Sequence, residues 1–124
     1  MGVTLDTGAL IGIERGDPRL QEVIRQAVSG EVILAIPAGV LAQAWRGTPR
    51  QALLSRFLRL RNVEIVQLDE GLARVAGVLC GRASAVDVVD ASVVVCARLR
   101  EDVVITSDPG DLRRLDPLLS IAAL

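Results

Sequence analysis

The sequence predicts an α/β fold in which a parallel sheet of four to five strands carries helices on both sides. Three observations lead there. Short apolar runs rich in β-branched residues alternate with longer segments of helical period, the order that gives right-handed crossovers and parallel strands. The run Val32–Ile36 is apolar throughout, as expected of a strand covered on both faces. At 124 residues, 51% of them hydrophobic, the chain is long enough for one packed domain, residues 1–124, and too short for two.

Taken in order, Val3–Leu5 is the first strand and ends at Asp6. Thr7–Glu14 follows as a short helix with Ala9, Leu10 and Ile13 on its inner face. Asp17 caps the next helix, Pro18 occupies its first turn, and it runs to Ser29 and Gly30. After the second strand, Pro37 opens a helix carrying Val40, Leu41, Gln43, Trp45 and Arg46, which Gly47 breaks. Pro49 begins another through Arg61, with Leu53, Leu54, Phe57 and Leu58 inward and Arg50, Arg56, Arg59 and Arg61 outward. Val63–Gln67 is the third strand, and Asp69 caps a helix to Arg82. Val103–Thr106 is the fourth strand, Asp108 and Pro109 start a short helix, and Leu118–Ala122 adds a fifth strand.

The stretch from Ser84 to Ala97 reads as a helix buried along most of its length. Ser84 is expected as its N-cap, with Asp87 three residues later in a start resembling a capping box. The valines at 88, 89 and 93–95 would suit a strand, but the run is too long for one and a better strand follows at once. Asp87 and Asp90 then stand three apart on one helix face. A first-turn carboxylate meets free N–H groups and the positive end of the helix dipole, which accounts for Asp87. Asp90 is expected beyond the capping positions, among residues that pack dry. An unpaired carboxylate there is costly and calls for a cation, donors or a metal.

Composition removes several chemistries. A net charge of −1 gives no global attraction to nucleic acid or membrane, so anion binding must be local. No apolar run reaches the length of a membrane span and none reads as a signal peptide, so the expected location is the cytoplasm. The absence of His excludes His-based acid–base chemistry, His metal ligands and His-activated nucleophiles. All fourteen basic residues are Arg, which argues against a P-loop hydrolase, a Schiff-base enzyme or a receiver-like use of Asp6 as phospho-acceptor. Cys80 and Cys96 read as buried, reduced thiols.

What remains is a set of carboxylates. In parallel α/β sheets, ligands bind beyond the carboxyl ends of the strands where the strand order reverses. Asp6 ends the first strand and Asp108 follows the fourth. If those strands are neighbours, both meet the front of the Asp90 helix in one cleft. Each also has a capping reading, Asp6 before Thr7 and Asp108 before Pro109. Carboxylates gathered this closely raise one another's pKa unless a cation neutralises them. Oxygen ligands without His or Cys point to Mg²⁺ or Mn²⁺, in sites that act chiefly on phosphates.

Three segments carry a family resemblance: Leu5-Asp6-Thr7-Gly8-Ala9-Leu10, Asp90-Ala91 continuing to Cys96-Ala97, and Val104-Ile105-Thr106-Ser107-Asp108 continuing to Asp111-Leu112. In this order and spacing the chain resembles PIN-domain proteins, and most of all the VapC-type ribonuclease toxins of bacterial toxin–antitoxin pairs. The resemblance implies a three-layer α/β/α sandwich whose acidic edge binds Mg²⁺ or Mn²⁺ and hydrolyses RNA phosphodiesters. It implies Asp6, Asp90 and Asp108 as catalytic metal ligands at the first, third and fourth acidic positions, with Asp111 close to the last. It also implies a cognate antitoxin and a homodimer as partners.

The second acidic position differs. Where the family usually has Glu, this chain has Gln43, which keeps a carbonyl and two N–H donors but no charge. Either Glu14 or Asp87 supplies the missing charge, or the site works with one ion, or the protein is an impaired PIN-like module that binds RNA or a partner without turnover. Supporting roles fall to Asp111 or Asp87 behind the ligands, and to Thr7, Thr106 or Ser107 in orienting them. Arg46 and Arg50 follow Gln43 closely enough to contact RNA at the cleft rim. With one Trp, one Phe and no Tyr there is little scope for base stacking. Trp45 and Phe57 are expected in the core or in an apolar groove for an antitoxin segment.

Overall fold

The structure, a computed structural model, describes residues 1–84 and 87–124. Five strands, β1 (Val3–Leu5), β2 (Leu34–Pro37), β3 (Val63–Val66), β4 (Val103–Thr106) and β5 (Ile121–Ala123), form one sheet in the order β3-β2-β1-β4-β5. Every neighbouring pair is parallel. β1 and β4 are neighbours, as the sequence reading required, and the strand order reverses between them. Leu5 stands opposite Ile105, so Asp6 and Thr106 lie side by side at the carboxyl edge.

Among the described residues seven α-helices flank the sheet: α1 (Thr7–Glu14), α2 (Pro18–Ser29), α3 (Ala38–Ala44), α4 (Ala52–Phe57), α5 (Glu70–Ala83), α6 (Val88–Arg100) and α7 (Pro109–Leu115). α1 packs with α2, α3 and α4, whereas α6 packs on β1 and β2 with α5 and α7 beside it. Ala9, Leu10 and Ile13 are the buried residues of α1, matching the inner face expected of that helix. β2 is buried at all four positions, which explains its unbroken apolar sequence. Between the layers lie Leu5, Leu10, Ile36, Val40, Leu54, Val94 and Val104, none more than 1% exposed. Removing these side chains from water is the main favourable contribution to folding.

Several boundaries differ from expectation for local reasons. β2 begins at Leu34 because Val32 N–H is used by the Ala27 carbonyl to close α2. α3 ends at Ala44, so Trp45 and Arg46 lie beyond it, and Gly47 turns the chain with φ 70. The helix expected from Pro49 to Arg61 is a 3₁₀ turn (Pro49–Gln51) leading into α4, which stops at Phe57. Leu53 is outward rather than inward at 39% exposure. β3 stops one residue early, at Val66, and β5 starts at Ile121 rather than Leu118.

The largest correction is at α6. Ser84 does not cap it: Ser84 ends α5 in the left-handed region, with φ 53. Asp87 is the N-cap, its carboxylate accepting from the N–H groups of both Val89 and Asp90. A side chain that satisfies two free N–H groups makes the stronger start. Ala85 and Val86, which belong to the expected helix, lie outside the described residues. Asp90 therefore sits in the first turn rather than beyond it, and is half-buried. From Ala91 to Ala97 every residue is buried, as expected.

At the opposite end of the sheet Asp102 is buried. Its Oδ2 accepts from Thr4 Oγ1 at 2.9 Å and from Arg100 Nε at 3.1 Å, and Arg100 also reaches Glu64 at 3.5 Å. Cys80 and Cys96 are buried free thiols, and burial pushes the Cys96 thiol pKa up. Among the described residues no helix is long and apolar enough to cross a membrane.

Candidate active site

Three elements converge at the carboxyl edge. Asp6 leaves β1 and caps α1, its Oδ1 accepting from Ala9 N–H at 2.9 Å. The buried Thr106 hydroxyl donates to the Asp6 carboxylate and accepts from Asp108 N–H at 2.8 Å, joining the ends of β1 and β4. Burial raises the Asp6 pKa; the Thr106 hydroxyl and then the Ala9 and Gly8 N–H groups oppose that rise. The approach of α1 to the loop after β4 depends on Gly8. A Cβ on it would overlap Ser107 Oγ and stand 3.1 Å from Ser107 Cβ.

Asp90 enters from the front of α6. Its pKa is pushed up to about 6, first by burial and then by the negative charges of Asp87, Asp111, Asp6 and Asp108. Asp108 occupies the N-cap position of α7, yet its side chain makes no capping bond; Pro109 lacks an N–H to offer. A hydrogen bond with Asp111, followed by the Asp111 charge, raises the Asp108 pKa instead. The expected acids thus meet: Asp6, Asp90, Asp108 and Asp111, with Asp87 alongside.

Glu14 does not join them. It lies at the far end of α1, about 12 Å along the helix from Asp6, and accepts from Gln51 Nε2. Gln43 does reach the site, but as an amide: its Oε1 accepts from the hydroxyl of Thr7, the residue after Asp6. Thr7 therefore orients Gln43. Arg46 and Arg50 line a groove together with Gln43, and none of the aspartates lines it. Phe57 is in the core, one of the two places expected for it, whereas Trp45 at 40% exposure is outside the core, which leaves for it the expected groove reading.

Gln51 was not foreseen. It is buried, and its Oε1 accepts from the N–H groups of Arg46 and Gly47 while its Nε2 donates to Ala44 and Glu14. No periodicity or spacing distinguishes it from a surface glutamine. Gly8 was legible as part of the Asp6-Thr7-Gly8 segment, but its contact with Ser107 was not.

The donor set fits a hard divalent cation. All the converging side-chain groups are oxygens, and among the described residues none of these carboxylates is paired with an arginine. As the side chains stand, no three acidic or thiol groups among the described residues close into a ready cage.

A family model for the PIN domain matches residues 3–117. Among solved structures, VapBC2 from Rickettsia felis bound to a promoter DNA fragment matches with a TM-score of 0.76 at 16% identity, over 99% of this chain and 98% of that one. DNA-bound VapBC from Salmonella typhimurium matches with a TM-score of 0.72 at 19% identity, over 99% and 98%. A toxin–antitoxin complex from Klebsiella pneumoniae gives 0.71 at 18%, over 98% and 97%. At these identities the likeness is one of fold. No curated protein matches the chain in sequence.

Two predictions arise from this geometry. Gly8→Ala should destabilise the protein by about 1–2 kcal/mol through overpacking, and Ser107→Gly in the same chain should restore most of the loss in a denaturant titration. The second concerns pH in the metal-free protein. The folded state holds a proton on Asp90 up to about pH 6, whereas the unfolded chain releases it near 3.8. Stability should therefore fall as pH rises through that window. Asp90→Asn should flatten the fall and stabilise the metal-free protein at pH 7 by about 1 kcal/mol, discounted for the half-exposed position. Thermal melts in EDTA from pH 4 to pH 7 compare the two, and identical profiles would contradict the crowding of charges around Asp90.

Proposed function

The chain belongs to the PIN-domain family, and from that premise we propose that it hydrolyses RNA phosphodiester bonds with Mg²⁺ or Mn²⁺. In this reading it is the toxin of a toxin–antitoxin pair, working in the cytoplasm as a homodimer and held by a cognate antitoxin. One observation carries it: Asp6, Asp87, Asp108 and Asp111 gather around Asp90, whose pKa burial first and then their charges push up to about 6, with no arginine paired to any of them among the described residues. A cluster of that kind is a counter-ion site, and a divalent ion held by oxygens recruits phosphates. The fold shared with a toxin–antitoxin complex from Klebsiella pneumoniae supports the choice of partner.

Asp6, Asp90 and Asp108 would hold the ion. When bound, it supplies Lewis-acid polarisation of a phosphoryl oxygen and lowers the pKa of water at the site. The chain's own contribution is positional. Ala9 N–H and the Thr106 hydroxyl fix the Asp6 carboxylate, and Thr106 also ties the Asp108 backbone to the same point. Asp87 secures the front of α6, so Asp90 approaches from a rigid helix turn. Asp111 orients Asp108 through their hydrogen bond. The N-terminal dipoles of α1 and α6 favour the ionised forms that an ion requires.

Cleavage of a structured RNA should require Mn²⁺ or Mg²⁺, stop in EDTA, and fall at least about a hundredfold in Asp90→Ala, equivalent to about 3 kcal/mol at the transition state. Cleavage that persists in EDTA would rule out this reading.

Gln43 favours a second reading, in which the protein binds RNA or a partner without efficient turnover. Its amide is held by Thr7 and brings no charge to the ion. Gln43→Glu should tighten Mn²⁺ binding by about an order of magnitude in calorimetry. If it also creates cleavage that the wild type lacks, the binding-module reading holds. If the wild type already cleaves and the rate does not change, Asp6, Asp90 and Asp108 suffice.

A further inference from the structure

We propose that the groove between α5 and α6 docks an acidic, amphipathic helix of a partner protein. It encloses about 500 Å³, with an aliphatic lining of Val75, Val78, Leu79, Val95 and Leu99. The remaining lining residues are Arg74, Arg82 and Arg98, and no acid is among them. None of the aspartates of the site lines it either, and Leu99 stands about 14 Å along α6 from Asp90. The proposal is therefore independent of the nuclease reading.

The apolar side chains are left open to solvent. Val75 is 51% exposed, Val78 54% and Leu99 70%. Exposed aliphatic residues scattered singly are ordinary, whereas these adjoin in one groove, the arrangement that marks an interaction surface. α7 packs on both helices, yet none of its residues lines the groove. The spacing suits a third helix. Val75, Val78 and Arg82 recur at three and four residues along α5, and Val95 and Leu99 lie four apart on α6, so two ridges run side by side with a channel between them. From Arg74 to Arg82 the channel spans about 12 Å, or two helical turns.

Charge decides the occupant. Arg82 is exposed and makes no ion pair among the described residues. Arg74 and Arg98 meet Glu70 and Asp116 through Nε, at 2.8 and 3.3 Å, in exposed pairs that exchange partners at little cost. An occupant must be apolar along its middle and anionic at its margins. A nucleic acid is anionic, but the aliphatic lining offers its bases no stacking face. A second copy meeting this face about a two-fold axis would set three arginines against three more. A helix whose apolar stripe is flanked by Asp and Glu meets both demands.

The test uses the whole protein and a fluorescent, lactam-locked helical peptide of about sixteen residues, with Leu at i, i+4 and i+7 flanked by Glu. Its anisotropy should rise saturably on titration with the protein. The same peptide with Lys in place of each Glu should bind about tenfold more weakly, the effect of three exposed ion pairs. Arg74→Glu with Arg82→Glu should reverse that preference, a result that nonspecific apolar adhesion does not give. Val78→Asp with Leu99→Asp should weaken binding of the Glu peptide about a hundredfold, with circular dichroism confirming the fold. Equal binding of the two peptides, unaltered affinity in the Val78 and Leu99 variant, or no saturable binding at about millimolar concentration would overturn the proposal. So would sedimentation showing a wild-type dimer that Val78→Asp with Leu99→Asp converts to monomer, because a second copy would then cover the groove.

Discussion

Mutual repulsion of carboxylates at the β1/β4 edge is the constraint on which this structure turns. Asp87, Asp111, Asp6 and Asp108 all act on Asp90, and burial removes part of the water that would screen them. Left alone, such groups would move apart or protonate. The fold holds them by short connections: Asp6 by a backbone N–H and the Thr106 hydroxyl, Asp108 by the same hydroxyl, and the start of α6 by Asp87. The close seat of Gly8 against Ser107 sets the spacing of the two strand ends.

Capping and chemistry are not competitors in this arrangement. Asp6 accepts from Ala9 N–H and from the Thr106 hydroxyl and keeps its remaining lone pairs, so the bonds that cap α1 also fix the orientation of a potential ligand. Asp108 stands at a cap position and leaves it unused. Asp87 takes the capping role for α6, which leaves the Asp90 side chain in the first turn free of it. The helix dipole stabilises charge at the same points, partly offsetting the repulsion.

Much of this was legible in the sequence. Alternation of apolar runs set the parallel sheet, and the carboxyl-edge rule brought Asp6, Asp90 and Asp108 together once β1 and β4 proved adjacent. What failed were choices among local donors. Ser84 and Asp87 both look like caps, and only the bonds to Val89 and Asp90 decide between them. Trp45 has the composition of a core residue, but α3 ends at Ala44 because Gln51 holds the following turn, and a long-range hydrogen bond of that kind leaves no periodic trace. Glu14 has the right chemistry and the wrong place, two turns along α1 from the acids.

The other end of α6 shows what the site lacks. There Asp102 is buried as deeply as Asp6, and the chain supplies its own compensation: Arg100 and Thr4 both donate to its Oδ2. The basic residues Arg98 and Arg100 also face the negative end of the helix dipole. One helix therefore joins an acid group neutralised from within to a larger one left without a cation among the described residues. Of the fourteen arginines, none among the described residues pairs with the carboxyl-edge acids, so the chain compensates the charge at one end of α6 and not at the other.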